Sequence, residues 1–127
     1  PGILLSITRP ESKISLLESN NKKCYFLKKA SHELNLKNIK IINNTITNKN
    51  QLGKFDIITS RAFATIEKTI NLTKTNTHEN TKYLLLKGKA SNIKKELKDI
   101  DKNMFRYEII NQDTTKERNI VLLCKDE

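Results

Sequence analysis

Residues 13–42 read KISLLESNNKKCYFLKKASHELNLKNIKII, and this stretch decides the fold class. Lys13 to Glu18 is a short apolar run ending in an acid, the pattern of a buried strand. Asn21 to Leu36 has helical spacing: Leu27, Ala30 and Leu34 share one face, while Lys22, Lys29 and Glu33 fall elsewhere. Ile39 to Ile42 then reads as a second strand.

The alternation continues along the chain. Gly53-Lys54 is a turn signal before a strand over Phe55–Thr59, and Ala64–Leu72 reads as a helix. Tyr83–Leu86 reads as a fourth strand, stopped by Lys87-Gly88-Lys89. Asn92–Ile100 is a helix with Ile93, Leu97 and Ile100 as its apolar stripe. Met104–Ile110 and Asn119–Cys124 are two strands with no helix between them, which predicts an antiparallel pair. Apolar strands separated by amphipathic helices imply an α/β fold: a mostly parallel Rossmann-like sheet, covered on both faces, with an antiparallel C-terminal edge. A single domain over residues 1–127 is expected. Such a sheet normally opens with a strand and a glycine-rich turn where its cofactor binds. Here the chain opens with the helical-looking Ile3–Ile7, so that strand and most of the turn are expected upstream of Pro1.

The 127 residues carry 24 Lys and Arg against 14 Asp and Glu, a formal net charge of +10. Residues 1–54 hold ten of the bases and only three of the acids. A positive field of this kind attracts polyanions, and nucleic acid is the commonest one in cytoplasm. The abundance of Lys, Asn and Ile also fits an AT-rich coding sequence, so charge supports an RNA partner without proving one. No apolar run approaches the roughly 18 residues of a membrane span, and no signal-peptide pattern is present. A cytoplasmic protein with no membrane partner is expected. Cys24 and Cys124 lack metal-ligand spacing, so neither a zinc site nor a disulfide framework is indicated.

Three positions could carry chemistry. Glu18 ends the first visible strand, where an acid can accept hydrogen bonds from the ribose of an adenosine-containing ligand. Dinucleotides and S-adenosylmethionine share that requirement. Arg61, in Ser60-Arg61-Ala62-Phe63 after the third strand, offers a planar fork for carboxylate or phosphate, or a flat cation for a base. Lys87-Gly88 follows the fourth strand, and Lys87 could neutralise an RNA phosphate. His32 and His78 stand apart from any nucleophile elbow, and no Walker loop, paired-carboxylate motif or metal-ligand cluster is present. Phe26, Phe55 and Phe63 sit among apolar neighbours, so aromatics free to stack on single strands are expected to be scarce.

Four stretches together resemble one family: Leu16–Leu27, His32–Ile39, Phe55–Phe63 and Leu86-Lys87-Gly88. It is the small-subunit ribosomal RNA methyltransferase G family, also called glucose-inhibited division protein B. Pro1-Gly2-Ile3 is similar to the tail of that family's glycine-rich cofactor loop, and the similarity runs over essentially the whole chain. The resemblance implies a class I methyltransferase sheet and transfer of methyl from S-adenosyl-L-methionine to N7 of a guanine in 16S rRNA. It implies that Glu18 holds the cofactor ribose, that Ile46 and Thr47 flank the adenine, and that Arg61 is the cofactor-site arginine. Thr47 departs from the family, which usually has an acid there. The partner would be 16S rRNA in the small ribosomal subunit, gripped by Lys22 and Lys23 at the helix start and by Lys87. The complete protein would be a monomer without a metal. With half of the cofactor cradle expected upstream, residues 1–127 alone are expected to be inactive.

Two other readings remain open on the residues themselves. One is a fragment of a nicotinamide-dependent oxidoreductase using Glu18 for its ribose, which lacks a visible substrate-side acid or base. The other is a non-enzymatic RNA-binding module, for which charge is the main warrant.

Overall fold

The structure, a computed structural model, describes residues 2–111 and 117–125. The chain divides into two compact units, residues 1–46 and residues 47–127.

The first unit runs α1 (Gly2–Thr8), β1 (Ile14–Glu18), α2 (Asn21–Glu33) and β2 (Ile39–Asn43). β1 and β2 pair in parallel, with Ile14 opposite Ile39 and Glu18 opposite Asn43. The strand–helix–strand expected from the opening stretch is therefore present. α2 stops at Glu33 rather than Leu36, because Asn35 takes the left-handed conformation at φ 53°. The Asn35 and Leu36 amides donate back to the His32 and Ser31 carbonyls, both at 3.0 Å, a Schellman ending with Asn in the usual glycine position. Pro1 lies outside the described residues. Gly2 opens α1 where a Cβ would collide with the Leu16 side chain, so its bareness allows helix and strand to approach closely.

Asn38 ties this unit together. Its Nδ2 donates to the carbonyls of Ser6, Arg9 and Ser12 at 3.1, 2.9 and 2.9 Å, and its Oδ1 accepts from the Ser6 hydroxyl. Its own carbonyl accepts from the Ile14 amide at 2.8 Å, one bond before the β1–β2 ladder begins.

The second unit runs β3 (Ile57–Arg61), α3 (Ile66–Leu72), a single 3-10 turn at Lys74–Asn76, β4 (Lys82–Lys87), α4 (Ala90–Leu97), β5 (Phe105–Asn111) and β6 (Asn119–Lys125). The strand order is β3-β4-β6-β5. β3 and β4 are parallel, while β6 runs antiparallel to both β4 and β5, which is the reversed C-terminal pair that the sequence predicts. Alternation along the two central strands buries Tyr83, Leu85, Val121 and Leu123 with Ile66 and Ile70 of α3 and Ile93, Leu97 and Ile100 of the α4 region. Each such side chain contributes roughly 1.5–3 kcal/mol on full burial. Tyr83 meets Phe105 edge to face at 6.4 Å between ring centroids.

Several boundaries in this unit move by a few residues relative to the sequence reading, α4 running Ala90–Leu97 rather than Asn92–Ile100, and two of the shifts have clear hydrogen-bonding reasons. β3 begins at Ile57 rather than Phe55, because the Phe55 amide donates to the Asn76 carbonyl at 2.9 Å and its carbonyl accepts from Thr81 Oγ1 at 2.6 Å. The strand correspondingly extends through Arg61. α3 begins at Ile66 because Thr65 is its N-cap, extended at φ −62°, ψ 160°, with Oγ1 accepting from the Lys68 amide at 3.2 Å.

Candidate functional site

In the first unit the carboxyl end of β1 is built around Glu18. Its carbonyl accepts from Cys24 Sγ at 3.2 Å and from the Asn44 amide at 3.2 Å, which fixes the main chain from two sides. Cys24 is buried beneath that end, a structural use for a thiol whose sequence context carries no signal. The Glu18 carboxylate turns toward the start of α2, where Oε1 accepts from the Asn20 amide at 3.1 Å. Asn20 in turn caps the helix by accepting from the Lys23 amide at 3.0 Å. Oε2 has no partner among the described residues, so one half-exposed carboxylate oxygen remains available to a hydroxyl donor. Asn43 Nδ2 donates to Asn21 Oδ1 at 2.8 Å, closing the adjacent end of β2. Lys22 and Lys23 extend from the first turn of α2 and are exposed. Ile46, at the end of this unit, is half-buried.

Thr47 opens the second unit and is exposed, with no hydroxyl partner among the described residues. Its carbonyl accepts from both the amide and the side-chain Nδ2 of Asn50, at 3.2 and 2.7 Å. Asn50 and Asn76 exchange amide hydrogen bonds, Nδ2 to Oδ1 in both directions at 2.9 and 2.7 Å. Asn76 Nδ2 also donates to the Gly53 carbonyl at 2.7 Å, where φ of 94° requires glycine. The 47–53 loop is thus pinned to the 3-10 turn by one reciprocal amide pair.

Arg61 is the last residue of β3, opposite Leu86 of β4. It is exposed, and its guanidinium has no partner among the described residues. The next residue, Ala62, is left-handed at φ 49°, a conformation that costs an alanine about 1–2 kcal/mol. Strain of this kind at the carboxyl end of a parallel strand marks a place where the chain is held against its preference. Two residues on, the Ala64 carbonyl is bound by Lys87. Expected on sequence to face RNA phosphate, Lys87 is instead mostly buried, donating to the Ala64 carbonyl at 2.5 Å and pairing with Glu96 at 3.3 Å. Its ammonium buttresses the Arg61–Ala64 turn and is not presented to solvent, which corrects the phosphate assignment.

One concave surface lies away from these strand ends, and another, lined by Asn48, Thr65 and Lys68 among others, borders the loop after Thr47 and the start of α3. A shallow cleft of about 310 Å³ in the first unit is lined by Lys28, Ser31, His32 and Asn35 on one side and Ile39 and Ile41 on the other. It contains neither Glu18 nor Arg61.

A second correction concerns the aromatics. Tyr25 and Phe26 are 72% and 68% exposed, and Phe63 is exposed as well, although their sequence neighbours are apolar. Among the described residues no cluster of three or more His, Cys, Asp or Glu could hold a metal, and no helix is long and apolar enough to cross a membrane. Asn38, Asn50, Asn76 and Glu96 were absent from the sequence-predicted set. Each is a polar residue whose role depends on partners more than eight positions away.

The family model described as rRNA small subunit methyltransferase G matches residues 1–121. The chain is 42% identical over 88 residues to the "Ribosomal RNA small subunit methyltransferase G" of Ruthia magnifica subsp. Calyptogena magnifica, covering 69% of this chain and 43% of the relative. It is 37% identical over 126 residues to the protein of that name from Brachyspira hyodysenteriae, covering 97% of this chain and 61% of the relative. The chain therefore spans about half the length of the curated relatives it matches. Among solved structures, it is similar to a putative methyltransferase from Streptococcus mutans in complex with SAH, at TM-score 0.64 and 13% identity over 90% of this chain and 76% of that one. It is also similar to a ribosomal protein L11 methylase from Lactobacillus delbrueckii subsp. bulgaricus, at TM-score 0.70 and 13% identity over 99% and 65%. The fold is that of the S-adenosylmethionine-dependent methyltransferases, α/β and mostly parallel with an antiparallel edge. With residues 1–121 matched, the chain belongs to the rRNA small subunit methyltransferase G family.

Proposed function

We propose that this chain forms the cofactor-binding part of an enzyme that transfers methyl from S-adenosyl-L-methionine to N7 of a guanine in 16S rRNA, on the small ribosomal subunit in the cytoplasm. The observation that carries the reading is the family match over residues 1–121. The fold neighbour solved with SAH supports the choice of cofactor.

Each unit, taken by itself, holds groups of a kind that such a ligand uses. Glu18 has a carboxylate oxygen without a partner among the described residues, suited to ribose hydroxyls. Ile46 offers apolar surface for an adenine ring, and Thr47 a free hydroxyl for its edge. Arg61 adds a planar cation with no partner among the described residues. The bound cofactor supplies an electrophilic methyl group. Guanine N7 has an available lone pair and no proton to remove, so the protein's task is alignment rather than general-base catalysis. Lys22 and Lys23 provide exposed charge for phosphates, and the target base must be unstacked to reach the cofactor.

The test uses a chimaera that supplies the remaining length of the Brachyspira relative. Labelled methyl should enter 30S subunits that lack the modification, at a guanine N7. In the same chimaera Glu18→Ala should weaken calorimetric affinity for S-adenosylhomocysteine by about 1.5–3 kcal/mol, the scale of charge-assisted hydrogen bonds. Preferential binding of NAD, or no methyl transfer, refutes the reading; unchanged affinity shows that the ribose is held elsewhere.

A further inference from the structure

α2 carries two stripes. Cys24, Leu27, Ala30 and Ser31 are buried or half-buried and form its packing side. Lys22, Tyr25, Phe26 and Lys29, spaced i, i+3, i+4 and i+7, share the opposite exposed face. Lys23 and Lys28 flank it, and Glu33 is the one acid on the helix. None of these four lysines has a salt bridge among the described residues. Two aromatic rings about 70% exposed and adjacent are unusual for a surface helix, and here they stand inside a cationic field.

The combination limits what can cover the face. An apolar protein surface would bury the rings only if these lysines, which have no salt bridge among the described residues, were desolvated or extended to its rim, either of which is costly. An acidic peptide would satisfy the lysines but has no need of two flat rings. Unpaired nucleotides satisfy both: their bases have π-faces for Tyr25 and Phe26, and their phosphates accept from Lys22 and Lys29. Duplex RNA cannot do so, because its bases are already stacked and its deep groove does not admit side chains.

We infer that the outward face of α2 is a stacking surface for unpaired bases of RNA, with Tyr25 and Phe26 as the platform and Lys22 and Lys29 as the phosphate contacts. The identity of the RNA as the ribosomal substrate rests on the function proposed above; the recognition of unpaired bases rests on this face alone.

Fluorescence anisotropy with the 127-residue chain tests it, using one labelled oligoribonucleotide presented single-stranded and as a duplex. The single strand should bind more tightly. Replacing both rings, Tyr25→Leu with Phe26→Leu, keeps the apolar bulk and removes the π-faces. It should weaken single-strand binding about tenfold or more while leaving the salt slope unchanged. Lys22→Gln with Lys29→Gln should instead flatten that slope by about 1.4 units, two contacts at the single-strand value. All four positions are exposed, so far-UV circular dichroism should be unchanged in both variants. Equal binding of single strand and duplex, or full affinity in the leucine variant, overturns the inference. Self-association that the leucine variant abolishes without loss of RNA affinity also overturns it, and marks the face as a protein contact. The two proposals fail separately: methyl transfer by the chimaera with no effect of the leucine pair removes the stacking surface alone. A leucine effect without methyl transfer removes the enzyme reading alone.

Discussion

Replacing Asn76 by leucine tests whether one buried amide pair holds the loop that presents Thr47. Asn76 is 1% exposed, and its side chain makes three hydrogen bonds, two with Asn50 and one to the Gly53 carbonyl. Leucine has the same number of side-chain heavy atoms but is larger, and it has neither a donor nor an acceptor, so overpacking adds to the loss of hydrogen bonds. Asn50 keeps other partners, since its Oδ1 accepts from the Leu52 amide at 3.2 Å and its Nδ2 donates to Thr47 at 2.7 Å. The Gly53 carbonyl loses its side-chain donor, but Gly53 is exposed and water can replace it. Three neutral bonds at about 1 kcal/mol net each set the upper figure for their loss, and replacement by water lowers it, giving about 2–3 kcal/mol.

With a urea slope of about 1–3 kcal/mol/M, that loss moves the unfolding midpoint down by roughly 1 M. Urea titration followed by circular dichroism measures it. A midpoint unchanged within about 0.3 M refutes the reasoning, because the pair would then be no better than its hydration. The double variant Asn50→Ala with Asn76→Ala supplies the check on mechanism. If the two amides act as one unit, the second substitution adds less than it does alone, with a coupling of at least about 0.5 kcal/mol.

Charge reversal at Lys22 and Lys23 should weaken RNA binding across sequences and flatten the dependence of log affinity on log salt by about two units; an unchanged slope returns both to ordinary solvated lysines. Lys87→Met should leave Glu96 without its cation and release the Ala64 carbonyl, lowering stability by about 1–3 kcal/mol in urea titration, while the RNA salt slope stays the same. Burial holds the Tyr83 phenol above its usual value of 10.0, against the smaller opposing pull of the Thr73 hydroxyl at 2.7 Å. The unfolded chain therefore loses that proton first as pH rises. This contribution to stability is complete below about pH 10 and declines above it, and a stability–pH curve should show the alkaline fall flattened in Tyr83→Phe.

The elements of this fold are legible because their signals are local. The period-2 and period-3.6 spacings in residues 13–42 and 82–97 lie within single elements, and β1, α2, β2, β4 and α4 appear within a few residues of where they are expected. The places of Glu18 and Arg61 at the ends of β1 and β3 are legible for the same reason, since each needs only the end of one strand to be located. Polar residues with distant partners are not. The 71–82 stretch reads as a polar tract, yet Thr73, Asn76, Thr77 and Thr81 are all buried in it. Their hydrogen bonds reach Tyr83, Asn50, Lys125 and Phe55, and nothing in composition announces that they are satisfied inside. Lys87 misleads in the opposite direction, a charge that suggests solvent and phosphate but is paired within the unit.

The α2 aromatics show why the remaining ambiguity is physical. Between Asn21 and Glu33 the helix offers two faces that could be buried, one with Cys24, Leu27 and Ala30 and one with Tyr25 and Phe26. On area alone the second is the better candidate, since an aromatic ring buries more apolar surface than cysteine or alanine. It is also the face with Lys22 and Lys29, whose ammoniums would have to be desolvated or extended to its rim. The helix packs through the smaller, uncharged stripe, and Cys24 reaches the Glu18 carbonyl. Avoiding buried cations thus outweighs the greater area of the rings. The same preference leaves two aromatic faces in water beside lysines that have no salt bridge among the described residues, so the surface available to RNA follows from how the helix resolves its own packing.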